Sequence, residues 1–403
     1  MRISTQSFYD QSMAAVGSQQ QQLFLIQQKL AAGTKFLTAA DDPVAAARAL
    51  MVSDSIAQSS QYATSRQRAT LSLSREEDAL QSATEILQNI KTLTVQAGNG
   101  TLSDADRASL ATALQSNLDQ LVNVANADDG NGQFLFAGHK SANAPFVAQA
   151  AGGIQYVGDQ GQRLLQVDVA RQMAGTDDGR SVFQSVQGSA GYVTAGAAGN
   201  TGSGVFGPVS VVDATAANYG KDFVLSFTGD NYTVTTQDTP PVVAASGAFT
   251  PGAPISFGGL SISVSGTPAD GDSFQVATAK NAGTDVFGAI GDLIATLKTP
   301  IAGGGAAAQA QTLNALSTAN RKITNAHDNV LTIRSSVGSR LNEIDSLEAS
   351  GATRGLLDKG YLSEIQDLEP AAAISEFLQR QTSLQATQQT FARLHSISLF
   401  NYL

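Results

Sequence analysis

PVAAARALMVSDSIAQSSQYATSRQRATLSLSREEDALQSATEILQNIKTLTVQA, residues 43–97, contains no glycine, and no proline after its first residue. Asp42 precedes it as an N-cap, and Pro43 takes the first helical position, where a missing N–H costs nothing. The stretch predicts one unbroken helix about 80 Å long at 1.5 Å rise per residue. Leu73, Leu80 and Leu87 recur every seven residues, with Ala83, Ile90 and Ala97 alternating between them. A seven-residue apolar repeat is a coiled-coil seam, and a rod of this length needs partner helices to cover it.

Those partners are written on either side. Gly98-Asn99-Gly100-Thr101 reads as a turn, and Ser103-Asp104-Ala105-Asp106 restarts a helix with a capping box whose carboxylates suit the N-terminal dipole. Leu110, Leu114, Leu118, Leu121 and Ala125 then share one face and complete an α-hairpin. Far downstream, Leu316, Ile323, Val330, Val337 and Ile344 hold one phase over five heptads and predict a third long helix. These leucines, isoleucines and valines are the candidate bundle core.

Both chain ends carry the same repeat. Tyr9, Val16, Leu23 and Leu30, joined by Ile26, run to a stop at Gly33. After an expected break over 351–360, a last helix from about 363 to 400 carries Phe377, Leu384 and Phe391, with Leu394 and Leu399 in line. Residues 1–40 hold only four charges, Arg2, Asp10, Lys29 and Lys35, and residues 371–403 only Glu376, Arg380 and Arg393. Near-neutral tips pack against many copies of themselves without like-charge repulsion. Their thin stripes bury too little apolar area to offset ordering entropy, so the tips are expected to fray in the free chain and order on neighbours. The two terminal repeats are therefore the candidate assembly contacts.

Glycine is sorted along the chain: two of 38 lie in the first 97 residues, four in the last 98, and the rest between. Because glycine weakens helices and serves turns, the middle reads as β. Residues 154–157 and 164–169 read as strand, turn, strand, and further strands are expected at 209–212, 223–227, 232–236, 255–264 and 273–276. The fold class is α+β: a discontinuous long-helix coiled-coil bundle drawn from both ends, with an inserted antiparallel β domain, a sandwich or a barrel. The expected division is 1–42 with 370–403 as terminal assembly segments, 43–142 with 285–369 as the bundle, and 143–284 as the β insertion.

Composition excludes several classes. A net charge of −10 and a pI near 4.7 argue against nucleic acid and against an anionic membrane surface. Cysteine is absent, which removes disulfides, thiolate metal sites and cysteine nucleophiles. No run of apolar residues is long enough to span a bilayer, and the first residues lack the apolar core of a cleaved signal. His139, His327 and His395 are isolated, so no metal site is expected. Gly202-Ser203-Gly204-Val205-Phe206-Gly207 matches a dinucleotide fingerprint by letters, but it lacks a strand before and a helix after, and reads as a flexible loop. Asp41-Asp42 and Asp128-Asp129 sit at expected helix ends, where capping accounts for them. No catalytic residue, cofactor or small-molecule ligand is expected.

Specific motifs then add a family. Met1-Arg2-Ile3-Ser4-Thr5-Gln6, Gln28-Lys29-Leu30-Ala31-Ala32-Gly33, Ala40-Asp41-Asp42-Pro43-Val44-Ala45-Ala46 and Gln61-Tyr62 resemble the bacterial flagellin family. Gln96-Ala97-Gly98-Asn99-Gly100-Thr101-Leu102-Ser103-Asp104-Ala105-Asp106-Arg107 and Gly130-Asn131-Gly132-Gln133-Phe134-Leu135-Phe136-Ala137-Gly138 are similar to the first domain of its hook-associated junction branch. Arg334-Ser335-Ser336-Val337-Gly338-Ser339-Arg340-Leu341 and Ser398-Leu399-Phe400-Asn401-Tyr402-Leu403 resemble the end of that branch. Residues 255–276 look like segments of hook-associated protein 1.

The resemblance implies a structural protein, not an enzyme. It implies export by the flagellar type III apparatus after binding a dedicated chaperone, and an extracellular place in the flagellum. There the copies would form a ring between hook-associated protein 1 and the flagellin filament, with the terminal helices as an inner tube and the β insertion facing outward. Filament flagellin itself, and an exported coiled-coil tip or adhesin protein, are the alternatives. A hydrolase in the insertion would have to work without histidine, since residues 143–284 contain none.

Overall fold

The computed structural model describes residues 5–150 and 152–396. Its helices are α1 (Thr5–Ala32), α2 (Pro43–Ala97), α3 (Asp104–Ala125), α4 (Gly179–Phe183), α5 (Val286–Lys298), α6 (Gly305–Gln366) and α7 (Pro370–Ser396). Strands β1 (Phe146–Ala148), β2 (Ile154–Tyr156), β3 (Leu164–Asp168), β4 (Arg171–Ala174), β5 (Val193–Gly196), β6 (Val205–Phe206) and β7 (Ser210–Val211) follow α3, with α4 between β4 and β5. Then come β8 (Phe223–Thr228), β9 (Asn231–Thr236), β10 (Val243–Ala248), β11 (Pro254–Phe257), β12 (Leu260–Ser265) and β13 (Ser273–Ala277). The chain divides into an end unit, Met1–Thr64 with Ser346–Leu403, and a central unit, Ser65–Asp345. Helices α2 and α6 contribute to both.

In the central unit the heptads are interior. Leu73, Leu80, Leu87, Ile90, Leu114, Leu121, Leu316, Ile323, Val330, Val337 and Ile344 are buried, while Leu110 is half-buried. Ser103 caps α3 as a capping box: its Oγ accepts from Asp106 N at 3.2 Å and its own N–H donates to Asp106 Oδ2 at 3.0 Å. Helix α5, absent from the sequence reading, packs on α3 and buries Phe287, Ile290, Leu293, Ile294 and Leu297. Phe287 joins Phe136, Phe146 and Phe183 in an aromatic cluster with ring centroids 5.0 to 5.7 Å apart.

The β insertion is a sandwich. One antiparallel sheet has the order β10-β9-β8-β13-β5, and the other runs β11-β12-β6 with β7 beside β12. Alternate residues of both sheets share a single core, and Phe223–Phe257 and Phe206–Phe274 bridge them at 5.0 and 5.7 Å. Residues 255–264, read as a single stretch, fold instead as the β11–β12 hairpin. Gly258 and Gly259 take positive φ at both turn positions, which a two-residue hairpin of this twist requires. The expected pairing of 154–157 with 164–169 is also corrected: β2 pairs with β1 and β3 with β4, each with a nearer neighbour. The glycine-rich 202–207 run is tied down, with the N–H groups of Thr201 and Gly202 donating to the buried Asp272 carboxylate at 2.8 and 3.0 Å.

A column of polar side chains on α6 fixes the insertion to the bundle. Gln311, Asn314, Thr318, Asn325 and Asn329 donate to backbone carbonyls of Asn200, Gly204, Thr194, Gly191 and Ser181 at 2.6 to 3.0 Å. Asn314 also accepts from Phe206 N at 3.1 Å, so one buried amide satisfies both sides of the chain at β6. Asn314→Ala should lower stability by about 1–2 kcal/mol in thermal unfolding, because the Phe206 N–H and the Gly204 carbonyl lose their partner.

Candidate assembly interface

Gly33, with φ of 70°, ends α1 in the left-handed conformation that a C-cap glycine adopts. The chain then meets its own far end. Thr34 forms an antiparallel bridge with Asp367, Lys35 N donates to the Gln366 carbonyl at 2.8 Å, and Leu368 N donates to the Gly33 carbonyl at 2.9 Å. Leu368-Glu369-Pro370 is the true break. Helix α6 runs straight through 351–360 to Gln366, and α7 starts at Pro370, because isolated glycines weaken a helix without terminating it as proline does.

From that junction α1 and α7 run antiparallel and in contact. The Tyr9 and Phe391 rings meet tilted at 47° with centroids 5.3 Å apart, Gln19 Nε2 donates to Ser383 Oγ at 3.3 Å, and Thr387 Oγ1 donates to Gln19 Oε1 at 3.2 Å. Arg380 reaches Gln22 as well as Glu376. Ile26 and Leu384 are buried, and Val16, Leu23, Leu30, Phe377 and Phe391 are half-buried. The terminal repeats thus lie on two helices of one chain that face each other. The Leu394 side chain and Leu399 lie outside the described residues.

Among the polar side chains this pair leaves in water stand several large apolar ones. Met13, Phe24 and Leu25 of α1 and Ile374 and Leu378 of α7 are exposed. The same end unit exposes Val44, Leu50 and Met51 of α2 and Leu356, Leu357 and Tyr361 of α6. Met13 belongs to the N-terminal stripe, but the heptad pattern passes over the others, although a signal for Phe24 and Leu25 is present. Leu23-Phe24-Leu25-Ile26 is apolar around a full helical turn, more than a single partner helix covers. Contiguous exposed apolar patches are a common mark of protein–protein contacts.

The acidic pairs are local braces. Asp41 Oδ2 accepts from Thr38 N at 3.0 Å and Leu37 N at 2.9 Å, bonds that hold its carboxyl below the ordinary range. Asp42 Oδ1 caps α2 through Ala45 N at 2.9 Å. Asp128 and Asp129 accept from Gly130 N and Asn131 N, both at 2.8 Å. His327 is in α6, with Asp328 3.6 Å away. Among the described residues no group of three or more His, Asp or Glu side chains is placed to hold a metal, and no helix is long and apolar enough to cross a membrane.

The one strongly perturbed carboxyl is structural in setting. Glu76 of α2 is fully buried, and its Oε1 accepts from Asp177 N at 3.0 Å while Oε2 finds no donor. Burial first, and then the negative charge of Asp177, push Glu76 from 4.5 up to about 8. Asp177 is itself ion-paired with Arg340 of α6.

With this geometry in view, known proteins agree on one comparison. The family described as the bacterial flagellin N-terminal helical region matches residues 3–141, and the flagellar hook-associated protein 1 D2-like domain matches residues 196–278. Flagellar hook-associated protein 3 of Escherichia coli K12 is 31% identical over 400 residues, 99% of either chain. FlgL of Xanthomonas campestris is 28% identical with a TM-score of 0.68, covering 77% of this chain and 99% of its own. The flagellar junction protein FlgL of Legionella pneumophila is 26% identical with a TM-score of 0.66, covering 79% and 99%.

Proposed function

We propose, for a chain that belongs to the flagellar hook-associated protein 3 family, that its work is done by helix packing and not by chemistry. The protein is a structural component of the bacterial flagellum, at the junction of hook and filament. Its neighbours on this reading are hook-associated protein 1 on one side, flagellin on the other, and copies of itself in a ring. Before assembly it is held by an export chaperone and secreted by the flagellar export apparatus.

One observation supports this above the others: an end unit whose α1–α7 pair is already closed on itself still exposes Met13, Phe24, Leu25, Ile374 and Leu378. A closed pair with a second apolar face is a part to be built into something larger. The terminal segments, 1–42 with 370–403, then serve as the inner tube, the bundle 43–142 with 285–369 surrounds it, and the insertion 143–284 faces outward. No step calls for a catalytic group, a cofactor or a metal.

A deletion strain tests the reading. Motility is expected to vanish, with hooks intact and flagellin released into the medium. Filaments that stay attached to hooks without this protein would overturn it, and purified protein that polymerises alone into long filaments would favour the filament subunit instead.

A further inference from the structure

Beside the column that fixes the insertion, α6 carries a second polar column that fixes nothing. Ser317, Asn320, Arg321 and Thr324 follow one another at the three- and four-residue steps of one helix face. Among the described residues no hydrogen bond or ion pair reaches any of these four side chains. The Oδ1 of Asn320 is buried without a donor, and the Oγ1 of Thr194, a residue only 5% exposed, is buried without a partner. Buried polar atoms are normally satisfied, so two left open at one place ask for a partner from outside the chain.

Both residues line a cavity of about 300 Å³ between the sandwich and α6, a volume at the lower end of small-ligand sites. Apart from Thr194, its insertion side is largely apolar, made by Tyr192, Phe206, Pro208 and Val209. Its α6 side is the second column, with the Arg321 guanidinium as the single charge. The chain has 34 acidic residues, yet none lines this cavity, so no carboxylate there competes for Arg321. Water can serve each polar group by itself, but it gains nothing from the apolar wall opposite them.

We infer that this cavity is a binding site for a monosaccharide acid of the uronate class. The carboxylate of such a sugar suits the paired N–H donors of Arg321. Its hydroxyls suit Asn320, Thr194, Ser317 and Thr324, which both donate and accept, and the C–H face of its ring suits the apolar wall. A neutral sugar leaves the guanidinium unmatched, and an inorganic anion leaves the wall unmatched. The site lies wholly on the central unit and rests on neither the junction reading nor the exposed helices of the end unit.

A saturation-transfer NMR titration of the purified full-length chain with glucuronate tests the site. Binding is expected with a Kd of about 1 mM, and glucose and inorganic sulfate should each bind at least about tenfold more weakly. Arg321→Ala should weaken glucuronate about tenfold or more, and Arg321→Lys should fall between, because an ammonium keeps the charge but loses the paired geometry. Without ligand, Arg321→Ala should keep the thermal midpoint within about 2 °C of the natural chain, since no bond in the fold is lost. The site is overturned by any of four results: no glucuronate binding up to about 20 mM, glucose or sulfate binding as well as glucuronate, affinity unchanged in Arg321→Ala, or a midpoint lowered by several degrees in that variant, which would give Arg321 a structural partner instead.

Discussion

Leu384→Asp is expected to abolish filament attachment while leaving the central unit folded. Leu384 is buried where α7 faces α1, between the Ser383 and Thr387 side chains that bond Gln19. An aspartate there must either bury an unpaired carboxylate, at a cost of several kcal/mol, or part the helices. Two helices of 28 and 27 residues with thin stripes hold together by only a few kcal/mol, so they part. Hydrogen exchange should then lose its protection throughout α1 and α7. The unfolding transition of the central unit, whose core at Leu73, Leu80, Ile323 and Val330 lies in other elements, should not move. Leu384→Met should behave as the natural chain, and Leu23→Asp should act in the same direction but less, since Leu23 is only half-buried. Normal filaments on hooks bearing Leu384→Asp would remove the α1–α7 seam from the assembly mechanism.

The second large effect is a loss of stability toward alkaline pH. Glu76 holds its proton in the folded chain up to about pH 8 but releases it near 4.5 when unfolded. Between those values the folded state binds more protons than the unfolded one, so this group's contribution is full below about pH 4.5 and drains away as pH rises through 8. The groups facing it are Asp177, which repels its charged form, and Arg340, which Asp177 largely occupies. Glu76→Gln keeps the acceptor for Asp177 N and supplies an amide donor where Oε2 had none. The variant should match the natural chain near pH 5 and exceed it by about 4 kcal/mol at pH 9 in urea unfolding. A difference between the two proteins that stays constant from pH 5 to 9 would mean Glu76 is ionised in the fold.

Much of this architecture was legible because a coiled-coil seam writes itself every seventh residue. Leu73, Leu80, Leu87 and the run from Leu316 to Ile344 needed nothing from the rest of the chain to be recognised. The stop at Gly33 and the capping box at Ser103 were equally local. Features that failed to show are those decided at a distance. Asn314, Asn325 and Asn329 look like surface residues of a helix until their partners, backbone groups more than 100 residues earlier, arrive. Helix α5 was obscured by Gly288 and Gly291, whose local cost is offset by seven buried side chains. The supposed break at 351–360 was an error of magnitude, since about 1 kcal/mol per glycine does not halt a helix already running. In the end repeats the seam itself was visible. So was the need for the two ends to meet; that their pairing leaves further apolar side chains outward was not, because a repeat does not say how much of a helix its partner will cover.

The antiparallel closure of α1 on α7 also orders events in time. A chain made from its N-terminus completes α1 at Ala32 and does not begin α7 until Pro370. At ordinary synthesis rates the first helix waits roughly 20–70 s for its partner. Meanwhile the central unit, whose contacts close earlier, can form without it. Pairing of the ends thus comes after the central unit can form: a nascent chain that has not yet passed Pro370 presents a bare α1, and only the arrival of α7 can cover it.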